Sequence, residues 1–179
     1  LKTFPNAMQI GGGINDRTAA KFLKAGATHV IVTSFVFFEG RIKYENLKKL
    51  VAAVGADKIV LDLSCRKKGD DYYVVTDRWQ NFTEEKVEPA LFEKLDEYCD
   101  EFLVHGVDVE GKKSGMDEEL VKILASYEGN PITYAGGIHK VEQIDRLREA
   151  SGGKLDYTIG TALDIFGGNL PYDDVKNYK

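Results

Sequence analysis

Cysteine is scarce: two in 179 residues, Cys65 and Cys99, far apart and outside any metal-spaced set. Two cysteines make no disulfide framework, and a reduced, cytoplasmic chain is the expectation. The three histidines have no spacing that links them as ligands, so no metal is expected. Long apolar runs are missing too, with none near the roughly twenty residues of a membrane span and no signal-peptide pattern at the start. Basic charge is thin: 24 lysines and arginines against 29 acidic residues give a net charge of −5, with no basic block longer than Arg66-Lys67-Lys68. That balance argues against nucleic acid or a membrane surface as a partner. No linker rich in proline, glycine or serine divides the chain, and residues 1–179 are expected to form a single domain.

What is present is ordinary in amount, 43% apolar and 30% charged, but it is patterned. Six short apolar runs, opening at Met8, Thr28, Lys58, Glu101, Ile132 and Tyr157, alternate with helical spacings. The first helix takes Asn15 or Asp16 as its N-cap and stops at Gly26. The second sets Leu47, Leu50, Val51 and Val54 at intervals of three and four and ends at Gly55. Further helical patterns cover 83–100, 117–127 and 140–150. The nearly continuous apolar run from Lys58 to Cys65 marks a strand buried on both faces of a parallel sheet. Residues 66–82 break the rhythm, and their turn residues between two β-prone pieces predict a small hairpin, longer than an ordinary strand-to-helix loop. Strict alternation predicts an α/β fold with a parallel sheet, doubly wound or closed as a barrel.

An internal repeat decides between the two. The stretch from Gln9 to Ile14 ends in Gly11-Gly12-Gly13-Ile14, and Gly136-Gly137-Ile138 returns 124 residues later. Each is trailed by a helix and a second small-residue strand end, Thr33-Ser34 in one case and Gly160-Thr161 in the other. Duplicated half-barrels give this pattern, whereas an open nucleotide-binding sheet normally has one phosphate loop. The expectation is a TIM (β/α)8 barrel of which these six units are strands three to eight, the C-terminal three-quarters, with two βα units preceding Leu1. A first residue other than methionine fits a piece of a longer protein. Glycine-ended strands also expose backbone N–H groups at helix starts, where the helix dipole favours anions. Two matched sites predict a ligand with two anionic ends, bound at Gly13 with Thr33 and Ser34 and at Gly137 with Gly160 and Thr161. Tight turns that need glycine for backbone reasons alone are the competing explanation.

In parallel barrels the active site is built at the C-terminal ends of the strands. Asp62 sits inside Ile59-Val60-Leu61-Asp62-Leu63. Burying a carboxylate there is costly unless it is hydrogen-bonded or used, and desolvation moves carboxyl groups toward pKa values useful for proton transfer. Asp62 is therefore either a satisfied core aspartate or a catalyst. His105 ends the next strand and is its candidate partner on the same rim. Trp79 is either a core anchor or a platform for a planar ring. Arg66 and Lys67 contact an anionic group or are simply solvated. His29 and His139 read as surface or turn residues. Ser64-Cys65 lacks any triad spacing and is not expected to supply a nucleophile.

The motifs Gln9-Ile10-Gly11-Gly12-Gly13-Ile14, Ile59 to Arg66, Asp77-Arg78-Trp79-Gln80, Ala135-Gly136-Gly137 and Leu163-Asp164-Ile165-Phe166-Gly167-Gly168-Asn169-Leu170 together resemble the eukaryotic ProFAR isomerases of histidine biosynthesis. The resemblance covers essentially the whole chain. It implies a barrel enzyme with no metal or cofactor, monomeric when intact, which isomerises a bisphosphorylated aminoaldose to an aminoketose by acid–base catalysis (an Amadori rearrangement). It also implies that Asp62 is the general acid, as the family's strand-five carboxylate, and that Ser64, Arg66, Trp79 and Gly111 contact substrate. The family's other carboxylate lies on strand one, outside this chain, so the chain alone is expected to be inactive. Where members carry threonine at the end of strand six and then Asp-Gly-Thr, this sequence has His105 and Glu110-Gly111-Lys112. Two alternatives stand: the cyclase subunit of imidazole glycerol phosphate synthase and a non-catalytic phosphate-binding barrel. Trp79-Gln80 and the lack of Asp-Gly-Thr count against the cyclase.

Overall fold

The computed structural model of the chain describes residues 1–109, 111 and 115–178. In order the elements are β1 (Ile10–Gly11), α1 (Ala19–Lys24), β2 (Val30–Val32), β3 (Phe37–Phe38), β4 (Arg41–Ile42), α2 (Tyr44–Val54), β5 (Ile59–Lys68), β6 (Asp71–Thr76) and β7 (Asn81–Lys86). They continue with α3 (Pro89–Leu95), β8 (Glu101–Gly106), α4 (Glu118–Ala125), β9 (Ile132–Ala135), α5 (Glu142–Ser151), β10 (Leu155–Thr158) and α6 (Tyr172–Lys176).

Six strands run parallel in the order β1-β2-β5-β8-β9-β10, which is also their order in sequence. Each strand therefore crosses over through its helical segment to its immediate neighbour, as in a sheet that winds one way. Side chains alternate across a strand, and the sequence uses that alternation. On β5, Leu61, Leu63 and Cys65 are buried while Asp62, Ser64 and Arg66 are only partly so. On β8, Phe102 and Val104 are buried while Leu103 and His105 are intermediate. The buried set packs against Leu47 and Leu50 of α2, Leu91 and Phe92 of α3, and Leu120 and Leu124 of α4, so the core lies between one face of the sheet and its helices.

The opposite face is concave. Gln9, just before β1, donates to the Glu101 carboxylate of β8 at 2.6 Å, although β2 and β5 lie between them. In a flat sheet three strand spacings amount to about 14 Å, more than an extended glutamine and glutamate cover together. The hydrogen bond forms because the sheet curls around it. Thr133 of β9 donates to the other oxygen of the same carboxylate, also at 2.6 Å.

One expected element is different. The helical pattern read over 83–100 is divided: residues Asn81–Lys86 pair antiparallel with β6 as β7, and the helix is confined to Pro89–Leu95 with a 3₁₀ turn over Asp96–Tyr98. Proline accounts for the boundary. Its ring pushes the preceding residue out of the helical region, and Glu88 is extended at φ −152°, ψ 164°, so Pro89 opens the helix where its missing N–H costs nothing. The hairpin is real and larger than expected. β5 continues past the sheet to Lys68, turns through Gly69 at φ +66°, and returns as β6.

Phe92 is fully buried, edge-on to Phe102 at 5.1 Å between ring centroids and tilted against Tyr127 at 5.3 Å. Replacing it with alanine removes the ring that joins α3 to β8. Phe92→Ala is expected to lower unfolding stability by about 3–5 kcal/mol, measured as a lower urea midpoint with an unchanged slope.

Candidate active site

The strand ends of the concave face carry the candidate residues. Asp62 stands at the middle, with its side chain 18% exposed. Its Oδ2 accepts the Thr33 hydroxyl of the neighbouring strand end at 2.8 Å, and its Oδ1 faces His105 Nε2 at 3.4 Å. The register explains the second contact: Ser64 lies directly opposite His105 across β5 and β8, so His105 is one inward step up the sheet from Asp62. A carboxylate between a hydroxyl and an imidazole can exchange protons with a ligand above the strand ends.

Two hollows flank this carboxylate. The first, about 310 Å³, is lined by His105, Gly111, Gly136, Gly137, Gly160 and Thr161 among others. The second, about 650 Å³, is lined by Thr33, Ser34, Ser64, Asp77, Arg78 and Trp79 together with Phe37 and Phe38. Asp62 thus touches one residue of each. The expected phosphate set Gly137, Gly160 and Thr161 shares one hollow. Thr33 and Ser34 share the other with Ser64 and Trp79, and Gly13 is not among its lining residues, although the pairing of Gly11 with Ile31 puts the Gly12-Gly13 turn at the adjacent strand end.

The duplicated turns have matching backbones. Gly12 and Gly13 have φ values of +100° and +66°, and Gly136 and Gly137 have +130° and +74°. Glycine is required at the second turn for space as well, since a Cβ on Gly137 would come within 2.0 Å of the Gly115 carbonyl oxygen. The N-cap of α1 is Thr18 and not the expected Asn15 or Asp16: a turn intervenes, in which Asn15 Oδ1 accepts from the N–H groups of Arg17 and Thr18 at 2.9 and 3.1 Å before the helix begins at Ala19. After the second, Gln143 Oε1 accepts from His139 and Lys140 N–H at 2.8 and 3.2 Å, and the His139 ring contacts the Gly137 carbonyl at 2.9 Å. His29, whose reading was a surface or turn position, is partly buried and pairs with Asp100 at 3.0 Å.

The remaining candidates divide. Ser64 Oγ accepts the Trp79 indole N–H at 3.1 Å, and Trp79 is 43% exposed beside it, a ring presented to the hollow and not a core anchor. Arg66 faces Asp108 at 3.1 Å and lies over the Phe82 ring at 5.7 Å, so its charge is already paired. Gly111 lines the first hollow, while Glu110 and Lys112 lie outside the described residues. Burial, followed by the Asp62 charge, pushes the Cys65 thiol far above its ordinary value, and burial holds Cys99 at about 12, which keeps both inert as nucleophiles. Among the described residues no cluster of histidine, cysteine, aspartate or glutamate could hold a metal ion, and no helix is long and apolar enough to cross a membrane.

The sequence model of the family described as "Histidine biosynthesis protein" matches residues 1–170. The chain belongs to this family. Among its curated members the chain is similar to a protein of Medicago truncatula named 1-(5-phosphoribosyl)-5-((5-phosphoribosylamino)methylideneamino) imidazole-4-carboxamide isomerase and marked chloroplastic, at 51% identity over 98% of this chain. Proteins with the same enzyme name are 44% identical in Neurospora crassa, over 94% of this chain, and 43% identical in Saccharomyces cerevisiae, over 95%. The chain spans 56% of the length of the Medicago protein, 66% of the Neurospora protein and 67% of the yeast protein. That name is the systematic form of ProFAR isomerase.

Sequence reasoning missed Asp77. Its carboxylate accepts from Asn81 Nδ2 and Thr76 Oγ1 at 2.8 Å each and from Glu39 N–H at 3.1 Å. Those bonds, Asn81 first and Thr76 next, pull its carboxyl below the ordinary aspartate value. A depressed folded-state pKa stabilises the loop above the unfolded value of about 3.9, and that contribution is lost as the pH falls through the folded value. Trp79 is the chain's one tryptophan and sits two residues away. Its fluorescence is expected to change as the pH drops below about 3.9, with the change absent in Asp77→Asn. An unaltered acid transition in that variant would disconnect Asp77 from the loop.

Proposed function

We propose that this chain supplies the greater part of a ProFAR isomerase, with β1, β2, β5, β8, β9 and β10 as strands three to eight of a (β/α)8 barrel and residues 1–179 as one domain. The observation that carries the reading is the Asp62 carboxylate held between Thr33 and His105, midway between two glycine turns of matching backbone. A bisphosphate laid from Gly13, Thr33 and Ser34 to Gly137, Gly160 and Thr161 would cross Asp62. The enzyme name shared by the relatives supports the same substrate class.

In this reading Asp62 is the general acid. It gives its proton to the ribose ring oxygen as the bond from that oxygen to C1 breaks, and the lone pair of the attached nitrogen forms an iminium ion. A base then takes the C2 proton, giving an enolamine that tautomerises to the aminoketose, so atoms and electrons balance without a cofactor. His105 and Thr33 hold the carboxylate in place, and Ser64, Trp79 and Gly111 shape the walls around the substrate, while Arg66, paired with Asp108, lies outside the lining of both hollows. In this reading the base is the family's strand-one carboxylate.

The test is conversion of ProFAR by the intact protein, followed by absorbance without ammonia or a glutaminase. Asp62→Asn is expected to lower kcat by about 10²- to 10⁴-fold, the usual contribution of a positioned acid. An unchanged rate in that variant would remove Asp62 from the chemistry, and turnover that required ammonia would favour the cyclase.

A further inference from the structure

The hairpin of β5 and β6 holds the loop between β8 and α4 at both of its ends. At the start, Asp108 accepts from Lys67 N–H at 2.9 Å and from Arg66 Nε at 3.1 Å. At the far end, the hydroxyl of Tyr72, a residue only 2% exposed, reaches both oxygens of Asp117 at 2.7 and 2.8 Å. Asp117 is itself fixed on two further sides. Its carboxylate caps α4 through Leu120 N–H at 3.2 Å, and its own N–H donates to the Tyr134 hydroxyl at 3.0 Å. Tyr134 lies on β9, three residues before Gly137. Lys67 also bonds Glu119 on the first turn of α4 and lies over the Tyr72 ring at 5.6 Å.

Between those ends the loop does two things at the first hollow. Gly111 lines it, and Gly115 packs its carbonyl against the Gly137 turn so closely that no Cβ fits between them. A shift of Asp117 would therefore be passed through one intervening residue, Met116, to Gly115 and so to the turn. We propose that Tyr72 and Asp117 are a positioning pair that sets this loop against the Gly136-Gly137 turn, coupling the docked hairpin to binding of one phosphate end of the substrate. This rests on the reading of that turn as a phosphate site. Tyr72 does not touch the substrate. It acts on phosphate affinity through Asp117 and Gly115.

The test uses the intact protein and its Tyr72→Phe variant, titrated with inorganic phosphate while the amide signals of Gly13 and Gly137 are followed. Phosphate affinity at Gly137 is expected to fall about fivefold, the equilibrium change that one lost hydrogen bond of ordinary strength carries, and to stay unchanged at Gly13. KM for ProFAR should rise by a similar factor with kcat within about twofold. Asp117→Asn, with Tyr72 intact, keeps an acceptor for the Tyr72 hydroxyl and for the Leu120 N–H, and it is expected to retain most of the affinity; a loss at Gly137 as large as that of Tyr72→Phe would count against the pair. A Tyr72→Phe protein that melts earlier but binds phosphate equally at both turns would leave the pair purely structural and overturn the proposal. Should Tyr72→Phe fail to fold, Asp108→Asn loosens the other end of the loop and must show the same selective loss at Gly137. Hydrogen exchange without phosphate separates the coupling from the functional reading. Faster exchange at Gly115 and Gly137 in Tyr72→Phe supports the coupling even if neither turn binds phosphate, and unchanged exchange at Gly137 rejects it.

Discussion

The candidate site hangs from the parallel ladder of β5 and β8, registered from Val60 with Glu101 to Cys65 with Gly106. Because side chains alternate along each strand, one register sends Leu61, Leu63, Phe102 and Val104 to the helix side and Asp62, Ser64 and His105 to the concave side. A slip of one residue would bury the carboxylate among aliphatic side chains and expose the leucines. Burial of a few hundred square ångströms of apolar surface at about 25 cal/mol per Å² therefore stabilises the placement of Asp62 as well as the core. The register brings Asp62 to the concave face, and Thr33 and His105 then fix its carboxylate there.

The flanking strands repeat the arrangement with different contents. β1 with β2 and β9 with β10 each end in a glycine turn beside a strand end rich in hydroxyls, and their positive φ values match in both copies. Lower on the same face, Glu101 draws Gln9 and Thr133 together across the concavity. That bridge fixes the curvature, and curvature sets how far apart the two turns stand. Spacing between the two glycine turns is thus governed partly by a carboxylate well below the strand ends.

Period and punctuation made much of this legible in sequence. Six apolar runs gave six parallel strands, and the doubled glycines gave two turns of one shape, because those features follow from local rules of alternation and backbone freedom. What was not legible depends on partners distant in sequence. Nothing near Asp62 announces Thr33 as its hydrogen-bond donor, and nothing near Tyr72 announces Asp117, 45 residues on. The helical reading of 83–86 failed for a related reason. Glu84, Glu85 and Lys86 favour helix by local propensity, and the ladder with β6, with Thr83 donating its hydroxyl to the Val74 carbonyl at 2.9 Å, overrode it.

The hairpin illustrates how local strain is maintained by distant contacts. Asp77, Arg78 and Trp79 adopt φ values of +55°, +57° and +68° in succession, a left-handed run that costs non-glycine residues about 1–2 kcal/mol each. No packing of Trp79 repays it, since much of the ring faces solvent. The compensation lies in the Asp77 carboxylate, gathering Thr76, Asn81 and the Glu39 backbone, and in Thr76 Oγ1, which accepts the Gly40 N–H at 2.9 Å. Glu39 and Gly40 form the turn between β3 and β4, in the unit that also carries Thr33 and Ser34. The tryptophan over Ser64 is thus aimed by the neighbouring βα unit, and both walls of the larger hollow stand or fall as one piece.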